Sequence, residues 1–337
     1  MSPLDGRPQN IGELLKYRKF GNQGWDISEV GYGMWGMGGD WTGSDDKQSL
    51  ESLQKAVELG CNFFDTAWAY NEGYSEKLLG QLVQQNSGKK LYTATKIPPK
   101  NFCWPSKREY ALKECFPADH IEDYVARSLK NIGVEHLDVM QLHTFEDQWL
   151  DDDQWINKLT DLKKKGLIGA IGISLNRWEP WNGVAAVKSG LIDSVQVVYN
   201  IFDQNPEDKL FPTCREHDVA VIARVPFDEG TLTGTLSKET TFPKDDWRST
   251  YFAPEYLNNC VDHAEALRPL IPQGMTMATM AMRFILSNPD VATVIPGMRK
   301  LKNVEGNIAA SDAGPLAVNL LNEIKKHRWD REPTEWS

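Results

Sequence analysis

The stretch Gly60-Cys61-Asn62-Phe63-Phe64-Asp65-Thr66-Ala67-Trp68-Ala69-Tyr70-Asn71-Glu72-Gly73-Tyr74 decides how the chain is read. An apolar run ends abruptly on an acid, the pattern of a buried strand that surfaces at Asp65. A short loop carries Trp68 and Tyr70, and a helical pattern starts near Ser75. A carboxylate at a strand end with a phenol one loop turn later can form an active-site corner. The same residues also suit a plain strand terminus, solvated by Asp65 and covered by Tyr70. Strand ends further along the chain separate the two readings.

Outward from this stretch the pattern is regular. Lys16–Ser28 holds two short strands around Gly21-Asn22-Gln23-Gly24 and reads as a β-hairpin. Val30–Trp35 is a first strand, and a helix over Asp46–Leu59 leads to the Asn62–Ala67 strand. A helix over Ser75–Gln85 precedes the strand Leu91–Lys96; after an interruption with prolines and Trp104, a helix over Ile121–Asn131 precedes Leu137–His143. Asp151-Asp152-Asp153 opens a helix ending at Gly166, its charge placed on the positive end of the helix dipole. Strands Ile168–Ser174, Val195–Asn200, Val219–Val225 and Ala292–Gly297 follow, with helices around Glu179–Ser189 and Pro206–His217, and two more after a long loop. Helices near Lys302–Ala310 and Leu316–Arg328 close the chain. Eight strands alternating with helices over this length predict a parallel (β/α)8 TIM barrel with an N-terminal hairpin and extra C-terminal helices. No low-complexity linker interrupts it, so residues 1–337 are expected to form a single domain, residues 1–15 being a poorly structured N-terminal segment.

Gly31-Tyr32-Gly33-Met34-Trp35-Gly36 matches G-x-G-x-x-G. That motif binds a pyrophosphate only where a helix opens directly after it. Here the chain runs on through Met37-Gly38-Gly39, too rich in glycine for a helix, and a glycine-rich strand and loop is the better reading.

A net charge of -10 argues against nucleic acid or an anionic membrane as the main partner. Five scattered cysteines without a Cys-x-x-Cys pair fit reduced thiols, with neither disulfide framework nor metal site expected. There is no apolar signal core and no run of membrane-spanning length, so a soluble, cytoplasmic protein is expected. Several of the twelve tryptophans fall in loops, as for an aromatic-lined pocket.

A barrel carries its chemistry at the C-terminal ends of its strands. Asp65 ends the second strand, Lys96 the third and His143 the fourth, with Tyr70 in the loop beside them. A nearby ammonium favours phenolate and so lowers a tyrosine pKa, while the carboxylate keeps that ammonium charged. A neutral imidazole can donate a hydrogen bond that orients a carbonyl oxygen. Such a set protonates an oxygen while a hydride reaches the carbon. Taken singly, Lys96 reads as a snorkelling lysine and His143 as a core histidine; their joint placement on consecutive strand ends favours function.

Gly60–Ala67, Thr95-Lys96, Gln141-Leu142-His143, Gly172-Ile173-Ser174 and Val294-Ile295-Pro296-Gly297 resemble, in order and spacing, the signatures of the aldo-keto reductase superfamily over nearly the whole chain. The resemblance implies a catalytic tetrad of Asp65, Tyr70, Lys96 and His143, with Tyr70 as proton donor. It implies NADP(H) lying extended across the barrel rim, contacted by Gly33, Met34, Asp65, Ser174, Gln196, Arg224, Phe227, Gly230, Leu232, Gly234, Gly297, Arg299, Asn303 and Asn307. Of these, Ser174 and Gln196 match positions that hold the nicotinamide carboxamide, and Arg299 is the candidate for the adenosine 2′-phosphate. The sequence departs from the family pattern at Leu175, where Asn is frequent, and at Arg224, where many members stack an aromatic ring. Trp35, Trp68, Tyr70 and His143 are implied to contact substrate, with Trp104, Trp149 and Trp247 candidates to line or close the pocket. The expected activity is reduction of a small aldehyde or ketone to an alcohol by a monomer or homo-oligomer. One rival is a non-catalytic nucleotide-sensing subunit resembling potassium-channel β-subunits; another is a Schiff-base enzyme using Lys96, which Asp65 disfavours by keeping that lysine charged.

Overall fold

Alternate residues of a strand face opposite sides, and in this protein the two sides have different tasks. The computed structural model describes residues 15–37 and 45–334. Two antiparallel strands, β1 (Tyr17–Lys19) and β2 (Asp26–Ser28), form the hairpin. Eight parallel strands follow: β3 (Tyr32–Gly33), β4 (Phe63–Asp65), β5 (Tyr92–Ile97), β6 (Leu137–Leu142), β7 (Ile168–Ser174), β8 (Ser194–Val198), β9 (Ala220–Arg224) and β10 (Val291–Val294). They pair in chain order, and parallel bridges Val30–Val294 and Gly33–Gly297 bring the first edge to the last. The architecture is a (β/α)8 barrel.

Helices α1 (Asp46–Glu58), α2 (Tyr74–Gln85), α4 (Ala118–Ile132), α5 (Gln154–Lys164), α6 (Asn182–Lys188), α7 (Leu210–Glu216), α10 (Met277–Leu286) and α11 (Leu301–Asp312) surround the strands. Short α3 (Leu112–Cys115) and α8 (Arg248–Tyr251), with α9 (Pro254–Leu267) and α12 (Val318–Lys325), are additions. Outward strand residues such as Phe64, Met140, Ile171, Ile173, Val195, Val197 and Val221 pack against the helices in one core. Inward residues Phe63, Tyr92, Ala94, Val139, Ala170, Ala220, Ile222 and Ala292 form a second cluster with Phe20, Ile27 and Trp25 of the hairpin. Trp25 lies 5.1 Å from the Tyr92 ring and 5.6 Å from that of Phe20. These inward residues sit at the N-terminal halves of their strands, so the hairpin plugs that end of the barrel.

Gly33 has a packing role in this closure. A Cβ there would lie 2.5 Å from the Ile295 carbonyl oxygen, so only glycine lets β3 meet the segment after β10. The G-x-G-x-x-G stretch thus includes part of the barrel seam; the glycine run through Gly38–Gly43 lies outside the described residues, as does the 1–15 segment except Leu15. The acidic run differs from expectation: Asp151 ends a 3-10 turn and α5 begins only at Gln154, whose amide is accepted by Asp152 Oδ1 at 3.0 Å. No described helix is long and apolar enough to cross a membrane.

Candidate active site

The alternation that places Phe63, Tyr92 and Val139 low in the barrel brings Asp65, Lys96, Gln141, Gln196 and Arg224 toward its C-terminal mouth. Lys96 Nζ donates to Asp65 Oδ1 at 2.5 Å, to Thr66 O at 2.7 Å and to Tyr70 Oη at 3.3 Å. Both partners of the ion pair are buried. Burial alone would discharge the lysine, but Asp65 and Tyr70 outweigh it and its pKa is raised. The other carboxylate oxygen, Asp65 Oδ2, accepts from Gln196 Nε2 at 2.9 Å and Gln141 Nε2 at 3.1 Å, and Gln196 Nε2 also reaches Gln141 Oε1 at 3.2 Å. The carboxylate is therefore held on both oxygens, and the lysine is fixed between it and the phenol.

Gln141 carries no assigned role in the sequence reading. The signal was present, two residues before His143, where the strand period puts both side chains on one face. Gln196, implied by family resemblance to meet a carboxamide, here spends its amide hydrogens on Asp65 and Gln141.

Tyr70 and His143 meet edge to face, ring centroids 5.8 Å apart. The expected lowering of the Tyr70 pKa is reversed in the structure. Burial raises it, and the Lys96 and Arg224 cations offset this only in part. For His143 burial and the same two cations act together, and its pKa falls well below 6.5. At neutral pH the pair is a protonated phenol beside a neutral imidazole. His143 Nδ1 is buried without a hydrogen-bond partner.

Trp104 stacks edge-on against His143 at 5.7 Å and is 42% exposed. Trp35, also half exposed, leans on Trp247 at 5.0 Å. Trp68 packs on Tyr124 at 4.8 Å and Phe102 at 6.3 Å. Trp149, by contrast, is a core residue wedged against Phe116 and Phe145.

Asn176, the residue after Leu175, spends its side-chain amide on neighbouring loops. It bonds Ser106 O at 3.1 Å, Glu146 Oε1 at 2.9 Å and Glu179 Oε2 at 2.7 Å, and so ties the loops after β5, β6 and β7 together. Leu175 offers its carbonyl to Arg224 Nη2 at 2.8 Å. Ser174 is buried at the end of β7.

Phe227, Gly230, Leu232 and Gly234 lie on or flank a 3-10 turn at Asp228–Thr233, where Glu229 (φ 56°) and Gly230 (φ 116°) leave helical geometry. The turn is clasped from the far end of the chain. Arg331 Nη1 donates to Asp228 Oδ1 at 2.8 Å and to Tyr256 Oη at 2.9 Å, and the same guanidinium pairs with Asp203. Met34 is buried, its amide given to Asp65 O at 2.9 Å, and Gly297 is exposed beside Arg299. Asn303 is exposed and Asn307 buried on α11.

Arg224 Nε, Arg299 Nη1 and Asn307 Nδ2 are all buried donors without partners. Buried donors are rarely left unpaired. A ligand rich in oxygen and aromatic nitrogen acceptors, as a nicotinamide dinucleotide is, fits that set.

A family model described as the Aldo/keto reductase family matches residues 29–328. The uncharacterized oxidoreductase YqkF of Bacillus subtilis is 30% identical, the match covering 93% of this chain and 96% of that protein. The NADH-specific methylglyoxal reductase of Escherichia coli is 27% identical, over 87% of this chain and 91% of its own. Among solved structures, the holo form of aldo-keto reductase AKR11C1 from Bacillus halodurans superposes with a TM-score of 0.75 at 26% identity, covering 96% of this chain and 99% of that one.

Proposed function

The chain belongs to the aldo/keto reductase family, and on that premise we propose that it is an NADP(H)-dependent oxidoreductase reducing an aldehyde or ketone to an alcohol, with Tyr70 as proton donor. One observation carries the reading: a single buried ammonium, Lys96 Nζ, is bonded at once to the Asp65 carboxylate and the Tyr70 hydroxyl. Nothing in a purely structural ion pair calls for the phenol.

A nicotinamide cofactor held there would supply the hydride. The chain's own residues do the rest. Tyr70 Oη and the neutral imidazole of His143 present hydrogen-bond donors to the carbonyl oxygen, which polarises it and aims its carbon at the hydride. As negative charge develops on that oxygen, the Tyr70 proton moves to it, and the adjacent ammonium stabilises the phenolate left behind. Asp65, fixed by Gln141 and Gln196, keeps Lys96 charged and in place. Arg299 is proposed to meet the 2′-phosphate, its Nη1 being an unpartnered buried donor suited to an anion. Trp35, Trp68 and Trp104 supply apolar walls for a small carbonyl substrate.

The test is consumption of NADPH and NADH with aromatic aldehydes, aliphatic aldehydes and sugars, beside Tyr70→Phe. The expected result is oxidation of NADPH in preference to NADH, abolished by Tyr70→Phe while nucleotide binding persists. Tight binding without turnover of any carbonyl would replace this reading with a nucleotide-sensing subunit.

A further inference from the structure

Arg224 is the last residue of β9, and it combines two local costs. Its Nη2 is satisfied by Leu175 O, yet Nε is buried with no partner. No described carboxylate forms an ion pair with it. Glu229, the acid on its own loop, is taken by Arg177, and Asp203 and Asp228 are bound to Arg331. Asp65 is bound to Lys96. Burial and the neighbouring Arg177 cation both press on the guanidinium, lowering its pKa to about 10, so it remains charged at neutral pH. A partly buried cation whose nearest acids, Glu229 and Asp65, are each paired with another cation is unfavourable in a folded protein. The next residue, Val225, adopts φ 56°, a left-handed conformation that is an outlier for a β-branched side chain. It is held there by Asn200 Nδ2 bonding Val225 O at 3.1 Å, while Tyr199 N bonds Arg224 O at 3.2 Å. A guanidinium without an ion-pair partner and backbone strain at one point are the kind of costs that persist at functional sites.

The field of this cation reaches the catalytic pair, since Arg224 lowers the pKa of both Tyr70 and His143. A hydride donor serving a carbonyl held by those two groups therefore sits in the same field. Reduction moves a hydride to the carbonyl carbon and the Tyr70 proton to its oxygen. The substrate leaves as the alcohol, and the nicotinamide ring, neutral before, carries one positive charge afterward. Every other part of the cofactor is the same in its two forms. The ratio of their affinities thus isolates whatever touches the ring charge.

We propose that the Arg224 guanidinium selects the reduced cofactor over the oxidised one, through like-charge repulsion of the pyridinium, and so favours loading of the protein with reduced nucleotide and rapid release of spent nucleotide. This rests on the nicotinamide reading of the site given above. It also gives the departure at position 224 a function: an aromatic ring stacks on either form, whereas a cation distinguishes them.

The experiment is calorimetric titration of the whole chain with NADPH and with NADP+, repeated with NADH and NAD+, for wild type, Arg224→Gln and Arg224→Lys. Wild type is expected to bind each reduced form on the order of tenfold more tightly than its oxidised partner, the size a unit charge several ångströms away produces in a partly buried site. Arg224→Gln, which keeps a planar hydrogen-bonding group but no charge, should bring that ratio toward unity. Tenfold corresponds to about 30 mV in the potential of the bound two-electron couple. Arg224→Lys, which keeps the charge, should keep the ratio. A wild-type ratio near unity overturns the proposal without recourse to any variant. An unchanged ratio in Arg224→Gln, or an equal collapse in Arg224→Lys, also overturns it. Failure of all four nucleotides to bind wild type would instead remove the cofactor reading on which it stands.

Discussion

Tyr70 and His143 touch each other, and burial drives their titrations apart. It raises the phenol and depresses the imidazole, because in each case the charged form is disfavoured. Each residue thereby keeps the form in which it can donate a hydrogen bond at neutral pH. The expected outcome is a reduction rate that is flat from about pH 7 to 9, between the ordinary His and Tyr titrations. An alkaline limb in kcat centred below pH 9 would contradict the protonated-phenol assignment. Stability carries the same sign. The unfolded chain binds a proton at His143 near pH 6.5 while the folded chain resists it, so stability is lost as pH falls from there toward the depressed folded value. The four residues of this corner were legible in the sequence because each sits on or beside a strand end. The direction of the Tyr70 shift was not. Sequence shows that a lysine is near, but the competing desolvation depends on how many atoms crowd the phenol. Gln141 and the stranded cation at Arg224 escaped for a related reason, since a residue's partners, or lack of them, are set by neighbours distant in sequence.

The strands were the easiest elements to read, as apolar runs ending on polar residues, and their boundaries fall within a few residues of expectation. The end of the chain was harder. A helix was expected over Leu316–Arg328, but α12 spans only Val318–Lys325. Beyond it Trp329 donates its amide to Phe202 O at 3.0 Å and stacks on His263 at 4.0 Å, which steers Arg331 to Asp203 and Asp228. Those acids lie 128 and 103 residues earlier, so no local pattern announces the clasp. Arg331→Ala leaves two buried carboxylates without their cation, and removing one side of a buried pair costs about 3–5 kcal/mol. Urea unfolding should register that loss, with Arg331→Lys recovering part of it. If the Asp228–Thr233 turn depends on the clasp, nucleotide should dissociate faster from Arg331→Lys than from wild type under conditions where circular dichroism shows both folded. A midpoint for Arg331→Ala equal to that of wild type would show the clasp to be dispensable.

On the scale of the molecule, the alternation of eight strands was enough to name the barrel, while its closure was not visible. β3 is only two residues long, and the ring is completed by isolated bridges and a glycine whose necessity depends on the Ile295 carbonyl. The hairpin was visible as a hairpin, but its role as a stopper depends on Phe20, Trp25 and Ile27 meeting inward residues from six strands of the barrel. That stopper covers the N-terminal end of the packed barrel, so under the proposed function nucleotide and carbonyl share the C-terminal mouth as their doorway. Two reactants that share one doorway must queue, and the one seated deeper enters first and leaves last. Product-inhibition kinetics would reveal the queue: oxidised nucleotide should compete with reduced nucleotide alone, while the alcohol product is non-competitive toward it. Random-order patterns would mean that the two have separate ways in, and that the plugged barrel imposes no sequence on its traffic.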